Sequence, residues 1–145
     1  MKTKKLFTIL FSILILIVAG CDKEENPTGP ENDIVGTWVL TKVILPDYGN
    51  MEVNPQPLGL QMTLKVNSDK TFEMTVVDPD GTETDKGTWS ISNGKITIKS
   101  NTGETLVFDY ELTGNQLKIT MQFDVSEFGL SGMGQTRVIM VFTKQ

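Results

Sequence analysis

From Ile34 onward the apolar side chains of this chain fall on every second residue, in short runs separated by turn-forming residues. A period of two marks a strand with one buried face, and no stretch here keeps the spacing of an amphipathic helix. The first run covers 35–44, and a long loop at 45–57 follows, with Pro46, Pro55 and Pro57. The second run, 58–66, alternates Leu58, Leu60, Met62, Leu64 and Val66 with Gly59 and polar residues. Phe72, Met74 and Val76 share one face of a third strand, and Asp78-Pro79-Asp80-Gly81 is a turn by composition. Gly87, Trp89 and Ile91 mark a fourth, with Ser92-Asn93-Gly94 as a hairpin signal before Ile96 and Ile98 of a fifth. After the turn at Asn101-Thr102-Gly103 come Leu106, Phe108, Tyr110 and Leu112, then the tight turn Gly114-Asn115, then Leu117, Ile119, Met121 and Phe123. A glycine-rich loop at 124–134 leads to Val138, Met140 and Phe142 of the eighth strand. The expected fold is all-β, an eight-stranded antiparallel up-and-down barrel over 34–145, because uninterrupted hairpins make a meander and closure removes its edges. A two-sheet sandwich would suit the same alternation.

The segment before Ile34 reads as address and tether. Lys2, Lys4 and Lys5 precede an apolar run from Leu6 to Val18, and the small residues Ala19 and Gly20 lead to Cys21. That is the layout of a cleaved signal peptide over 1–20, too short for a transmembrane span of about 20 apolar residues. Val18-Ala19-Gly20-Cys21 resembles the lipobox of bacterial lipoproteins, and the resemblance implies lipidation of Cys21, the sole cysteine. Diacylation plus amine acylation would exceed the two signals that stable anchoring needs. Residues 21–33 then read as a lipidated cysteine and a solvated linker, whose twelve residues after Cys21 reach roughly 40 Å when extended. Asp22-Lys23-Glu24-Glu25 resembles a surface-export signal of Bacteroidota lipoproteins, whereas Asp directly after the lipidated cysteine resembles an inner-membrane retention signal in proteobacterial sorting. The expected location is the cell envelope, with the outer membrane first and its two faces both open.

The full chain has 13 basic and 18 acidic residues; without the three leader lysines the balance is 10 to 18, a net charge of −8. Such a chain has no electrostatic footprint for nucleic acid. It has no histidine and a single cysteine assigned to lipid, so Ser/His and Cys/His nucleophiles are unavailable. No carboxylate pair has a spacing that asks for acid–base work. The turn at 78–83 lacks the ligand pattern of a calcium loop, and the methionines at alternating strand positions read as core rather than metal ligands. The reading is therefore a non-enzyme with no cofactor and no metal.

Gly36-Thr37-Trp38 at the start of the first strand is similar to the Gly-x-Trp motif that opens lipocalins. Gly87-Thr88-Trp89-Ser90-Ile91-Ser92-Asn93-Gly94-Lys95-Ile96-Thr97-Ile98 looks like the middle of small bacterial lipocalin-like domains found on lipoproteins. The resemblance implies that Trp38 plugs the closed end, packed by a basic side chain late in the last strand. Lys144 suits that place, whereas Arg137 begins the strand at the opposite end. Gly36, Trp38 and Lys144 are thus the expected closed-end residues.

In a meander, alternate hairpins share an end, so the loops at 45–57 and 124–134 meet at the mouth, away from Trp38. They bring Tyr48, Met51, Val53, Phe128, Leu130 and Met133 to one rim, where a barrel offers a pocket. The expected interior site is Met62, Phe72, Met74, Phe108, Tyr110, Met121 and Met140, with the Tyr110 hydroxyl as its polar handle. The function expected is passive binding of a small apolar or amphipathic ligand by a membrane-anchored protein. The alternative is a filled barrel acting as an envelope interaction module without such a ligand. One surface feature suggests a contact beyond the barrel interior. If even-numbered residues point inward, Val35, Val39 and Val43 of the first strand and Ile139 and Val141 of the last form an uncovered apolar seam, fit for self-association or a protein partner.

Overall fold

The computed structural model describes residues 30–124 and 135–145. The signal segment, Cys21, most of the linker, and the rim residues Phe128, Leu130 and Met133 lie outside the described residues. One helical turn, α1 (Pro30–Ile34), precedes nine strands: β1 (Gly36–Leu45), β2 (Met51–Val53), β3 (Gln61–Val66), β4 (Thr71–Asp78), β5 (Gly81–Ser92), β6 (Lys95–Ser100), β7 (Thr105–Thr113), β8 (Gln116–Asp124) and β9 (Gln135–Lys144). Every neighbour from β3 to β9 pairs antiparallel with the next; β1 pairs with both β3 and β9 and closes the ring. The sheet is therefore an eight-stranded barrel and not a sandwich. β2 is an extra short strand on the far end of β1, with Val43 opposite Val53. It falls inside the segment expected as plain loop, between two single 3-10 turns at Pro46–Tyr48 and Gln56–Leu58. The second 3-10 turn also delays β3 to Gln61, three residues later than the alternation suggests.

The alternation holds on every strand except the first. Leu40 pairs with Phe142, but Lys42 pairs with Val141, so Thr41 is an extra residue in the ladder. Its hydroxyl donates to the Val141 carbonyl at 3.1 Å. One inserted residue reverses the parity of everything beyond it. Val43 and Leu45 consequently join Trp38 and Leu40 on the inner face, and Lys42 and Ile44 take the outer one. The expected seam loses two of its five residues, while Val39, Ile139 and Val141 stay on the outer face, with Ile44 opposite Ile139. Val43 packs toward the core, as does Val35 just before β1. Val39 and Ile139 are half-buried. Val141, though on the outer face, is only 3% exposed, flanked across the ladders by Lys42 and Lys118. Lysine stems lying along an apolar neighbour while their ammonium groups stay in water would produce this burial.

Gly87 is required by close approach. A Cβ built there would lie 2.0 Å from the Lys99 carbonyl oxygen and 2.9 Å from the Phe72 ring. The ring of Phe72 occupies the space that any side chain at 87 would need.

One interval of the wall is not zipped. β7 pairs with β6 from Thr105 to Asp109, and with β8 only from Asp109 to Thr113. β8 runs on through Asp124, paired with β9 alone. Thr105–Phe108 and Met121–Asp124 thus continue as strands without a ladder between them.

Candidate functional site

The Trp38 end is sealed by two tryptophan–lysine stacks that both grip α1. Trp38 and Lys144 stand directly opposite each other on β1 and β9, and the Lys144 ammonium lies 5.2 Å from the Trp38 ring centroid. The Lys70 ammonium lies 4.4 Å from the Trp89 centroid. Each lysine reaches onward: Lys144 Nζ donates to the Asp33 carbonyl at 3.0 Å, and Lys70 pairs with the Glu31 carboxylate. The Trp38 indole N–H donates to the Ile34 carbonyl at 2.7 Å, and the Val35 N–H to the Asn32 carbonyl. The last three carbonyls of α1 are therefore all satisfied, and a cation sits at its C-terminus, where the helix dipole favours one. A five-residue helix is marginal alone; here tertiary contacts hold it, and Ile34 is buried completely as the plug. These contacts explain why the last residues of the expected linker are helical.

Above that floor the same inner face changes character. Leu64, Val66, Phe72, Trp89, Ile96, Leu117 and Phe142 are buried. Met62, Met74, Val76, Phe108 and Met121 share their face by register yet remain half-exposed. They pack against the core cluster on one side and face solvent on the other. Of the expected interior set, Phe72 and Met140 belong to the packed floor, at 2% and 6% exposure. Met62, Met74, Phe108 and Met121 line the open half. Tyr110 faces inward and packs with Leu112 against the core. Both also line a second pocket at the Trp38 end, about 630 Å³, shared with Asn32, Asp33, Lys144 and the hairpin glycines Gly94 and Gly114. The Tyr110 hydroxyl is thus a polar handle away from the mouth.

The mouth has another one. Asp85 shares the inner face with Gly87 and Trp89 and stands opposite Met74. It accepts a hydrogen bond from the Ser100 hydroxyl at 2.6 Å, and Ser100, 7% exposed, in turn accepts from the Thr102 N–H. Strand parity would have placed Asp85 inward, but its run, Thr82-Glu83-Thr84-Asp85-Lys86, has no apolar residue to reveal which face is which.

At the rim, Asp47 ties the β1–β2 loop to the start of β9. It accepts from the Arg137 N–H at 2.9 Å, the Thr136 hydroxyl at 3.1 Å and the Arg137 guanidinium at 3.2 Å. These bonds, the backbone one first, hold its carboxyl below the usual carboxylate range. Tyr48 and Met51 are exposed beside it, and Val53 packs inward. The five large hydrophobics exposed among the described residues are Tyr48, Met51, Leu58, Leu106 and Val107, and all belong to the mouth end. No group of three or more acidic, histidine or cysteine residues placed to hold a metal occurs among the described residues, nor does a helix long and apolar enough to cross a membrane.

Residues 34–119 match the lipocalin-like domain family. The chain belongs to that family. A lipocalin-like protein from Bacteroides uniformis is similar in structure, with a TM-score of 0.51 at 15% identity over 78% of this chain and 99% of that one. An uncharacterized protein from Bacteroides eggerthii gives 0.49 at 15% identity, covering 77% and 98%. Fatty-acid-binding protein 1 of Echinococcus granulosus gives 0.43 at 14% identity, covering 78% and 98%. At such identities the first likeness concerns the fold alone. None of the curated proteins matches. The lipocalin-like match begins at Ile34, the plug residue, and stops at Ile119, before β9. Closure of this lipocalin-like barrel by β9 is therefore read from the strand pairing.

Proposed function

We propose that this lipocalin-like protein is a passive, non-catalytic carrier that holds a small apolar or amphipathic molecule in the open half of its barrel. One observation carries the reading: Met62, Met74, Val76, Phe108 and Met121 face inward and remain half-buried, at the end where the exposed large hydrophobics collect. Unbranched, polarizable methionines adapt to varied apolar shapes, and a few polar groups at an apolar mouth orient a ligand; here these are Asp85 and Ser100.

The lipobox reading adds location: a lipidated Cys21 would hold the barrel at the cell envelope, on an outer-membrane leaflet, within tether reach of lipid. Cys21→Ala should then abolish palmitate labelling and detergent partitioning; a variant that still labels and partitions would remove the anchor from the account.

Ligand holding is tested with an environment-sensitive probe rather than intrinsic fluorescence, because Trp38 and Trp89 both sit in the sealed floor. Dansyl-undecanoic acid should bind saturably and be displaced by unlabelled apolar chains, and Met74→Trp, which fills the open half, should weaken it. Absence of saturable binding across fatty acids, sterols and retinoids would overturn the reading.

A further inference from the structure

We propose that the unzipped interval between β7 and β8 is a side port, through which the acyl chain of a single-chain amphiphile slides into the barrel while its head group stays at the outer lip. The proposal rests on the carrier reading above and adds the ligand class and its route.

The gap has no local sequence cause. Neither Thr105–Phe108 nor Met121–Asp124 contains proline or glycine, and both segments are strands. Continued from Asp109 opposite Thr120, the register would set Phe108 against Met121 and Val107 against Gln122. Those pairs do not form, and a cavity of about 270 Å³ lies there, lined by Val107, Asp109, Thr120, Met121, Gln122 and Arg137. Five of these belong to the outer face by parity, and Met121 belongs to the inner one, opposite buried Val138. The lining thus joins residues of both faces where the ladder is missing.

The volume falls below the roughly 300–1,000 Å³ of pockets that house a whole drug-sized ligand, so the gap suits a chain in passage. Its lip is apolar. Leu106 shares the inner face with buried Ile98 but is 41% exposed, and Val107 is 55% exposed. The opposite side offers polar groups at the outer surface. Among the described residues the Arg137 guanidinium bonds Asp47 through one N–H, and an arginine carries five donors, which leaves others to meet a carboxylate. Asp109, the acidic group at the same lip, is paired with Lys95 and does not stand as bare charge against an arriving anion. An apolar stem followed by an acceptor head matches that order of surfaces from inside to outside.

The test is a reversible clamp on the full chain carrying Cys21→Ser, so that only introduced thiols react. Val107→Cys with Gln122→Cys places one thiol on each exposed lip. They are joined as a disulfide or, where the lips stay farther apart than the about 7 Å a disulfide tolerates, by a short bis-alkylating reagent. Uptake of dansyl-undecanoic acid is followed by stopped flow. Closing the clamp should slow association about tenfold or more, and for the disulfide a reductant should restore it. Equal rates in clamped and open protein, with saturable binding in both, would overturn the port and leave the carrier standing. No saturable binding in the open protein would overturn both. Arg137→Gln gives a second reading: affinity for the acid should fall while affinity for its methyl ester holds, and equal loss for both would remove the head-group assignment.

Discussion

The two ends of this barrel are written in the same period-two alphabet and come out opposite. At the Trp38 end, every large inward side chain of β3, β4 and β9 is buried, α1 is drawn down as a plug, and each lysine in reach is spent on a ring and a helix. At the mouth end, inward methionines and Phe108 stay half-open, a carboxylate shares their face, and the exposed large hydrophobics of the described chain collect. Alternation alone says which side of a strand faces the core. Whether that core is filled depends on side-chain bulk and on what covers the end. Two indoles and a helix cover one end; loops held by Asp47 border the other.

The contrast makes the ends separable, and mutations can show whether they are. The largest effect is expected at the floor. Trp38→Ala removes the ring that joins β1, β9 and α1, and should cost about 3–5 kcal/mol of stability. Probe affinity of the remaining folded protein, measured below its denaturation midpoint, should stay within error, whereas a stable protein with altered binding would merge the two ends. Gly87→Ala comes next. Its methyl would meet the Lys99 carbonyl 2.0 Å away, and overpacking of this kind costs roughly 1–3 kcal/mol, occasionally more. Urea denaturation should show the midpoint fall with an unchanged slope.

Smaller again are the lysine stacks. Lys144→Met keeps the stem and removes the charge over Trp38, a loss of about 0.5–1 kcal/mol at an exposed site. Amide exchange should speed up in α1 and leave the mouth strands as they were. The smallest effect is at Asp47, and it depends on pH. Its carboxyl is held below the ordinary value of about 3.9, so its contribution is complete above that value and is lost as pH falls through the depressed folded value. Protection of the Arg137 amide, which donates to Asp47, should drop in that acidic window. In Asp47→Asn it should be weaker at neutral pH and lose that step.

Much of this architecture was legible beforehand, for clear reasons. Alternation over eight runs and tight turns such as Asn93-Gly94, both at positive φ, were enough for an eight-stranded closed meander. Three features were not. The bulge at Thr41 leaves no mark, since threonine sits equally well in a regular strand; only pairing with β9 shows it. The stack of Lys70 on Trp89 joins a turn to a strand nineteen residues later, and the register of β4 with β5 brings them together. The β7–β8 gap lies between segments whose composition is ordinary for strands, so no residue type marks the missing pairs. Asp85 is the opposite case: parity from Trp89 assigns it inward, and only the lack of apolar residues around it hid the fact.

The most direct measurement is methionine methyl NMR during titration with an unlabelled medium-chain fatty acid. Met62, Met74 and Met121 report the open half, Met140 the packed floor beside it, and the indole N–H groups of Trp38 and Trp89, bonded to Ile34 and Asn67, report the sealed end. The account predicts saturable shifts of the first three methyls, a smaller shift at Met140, and two stationary indole signals. Shifts confined to the indoles, or no saturable shift at any of the three open-half methyls, would contradict it.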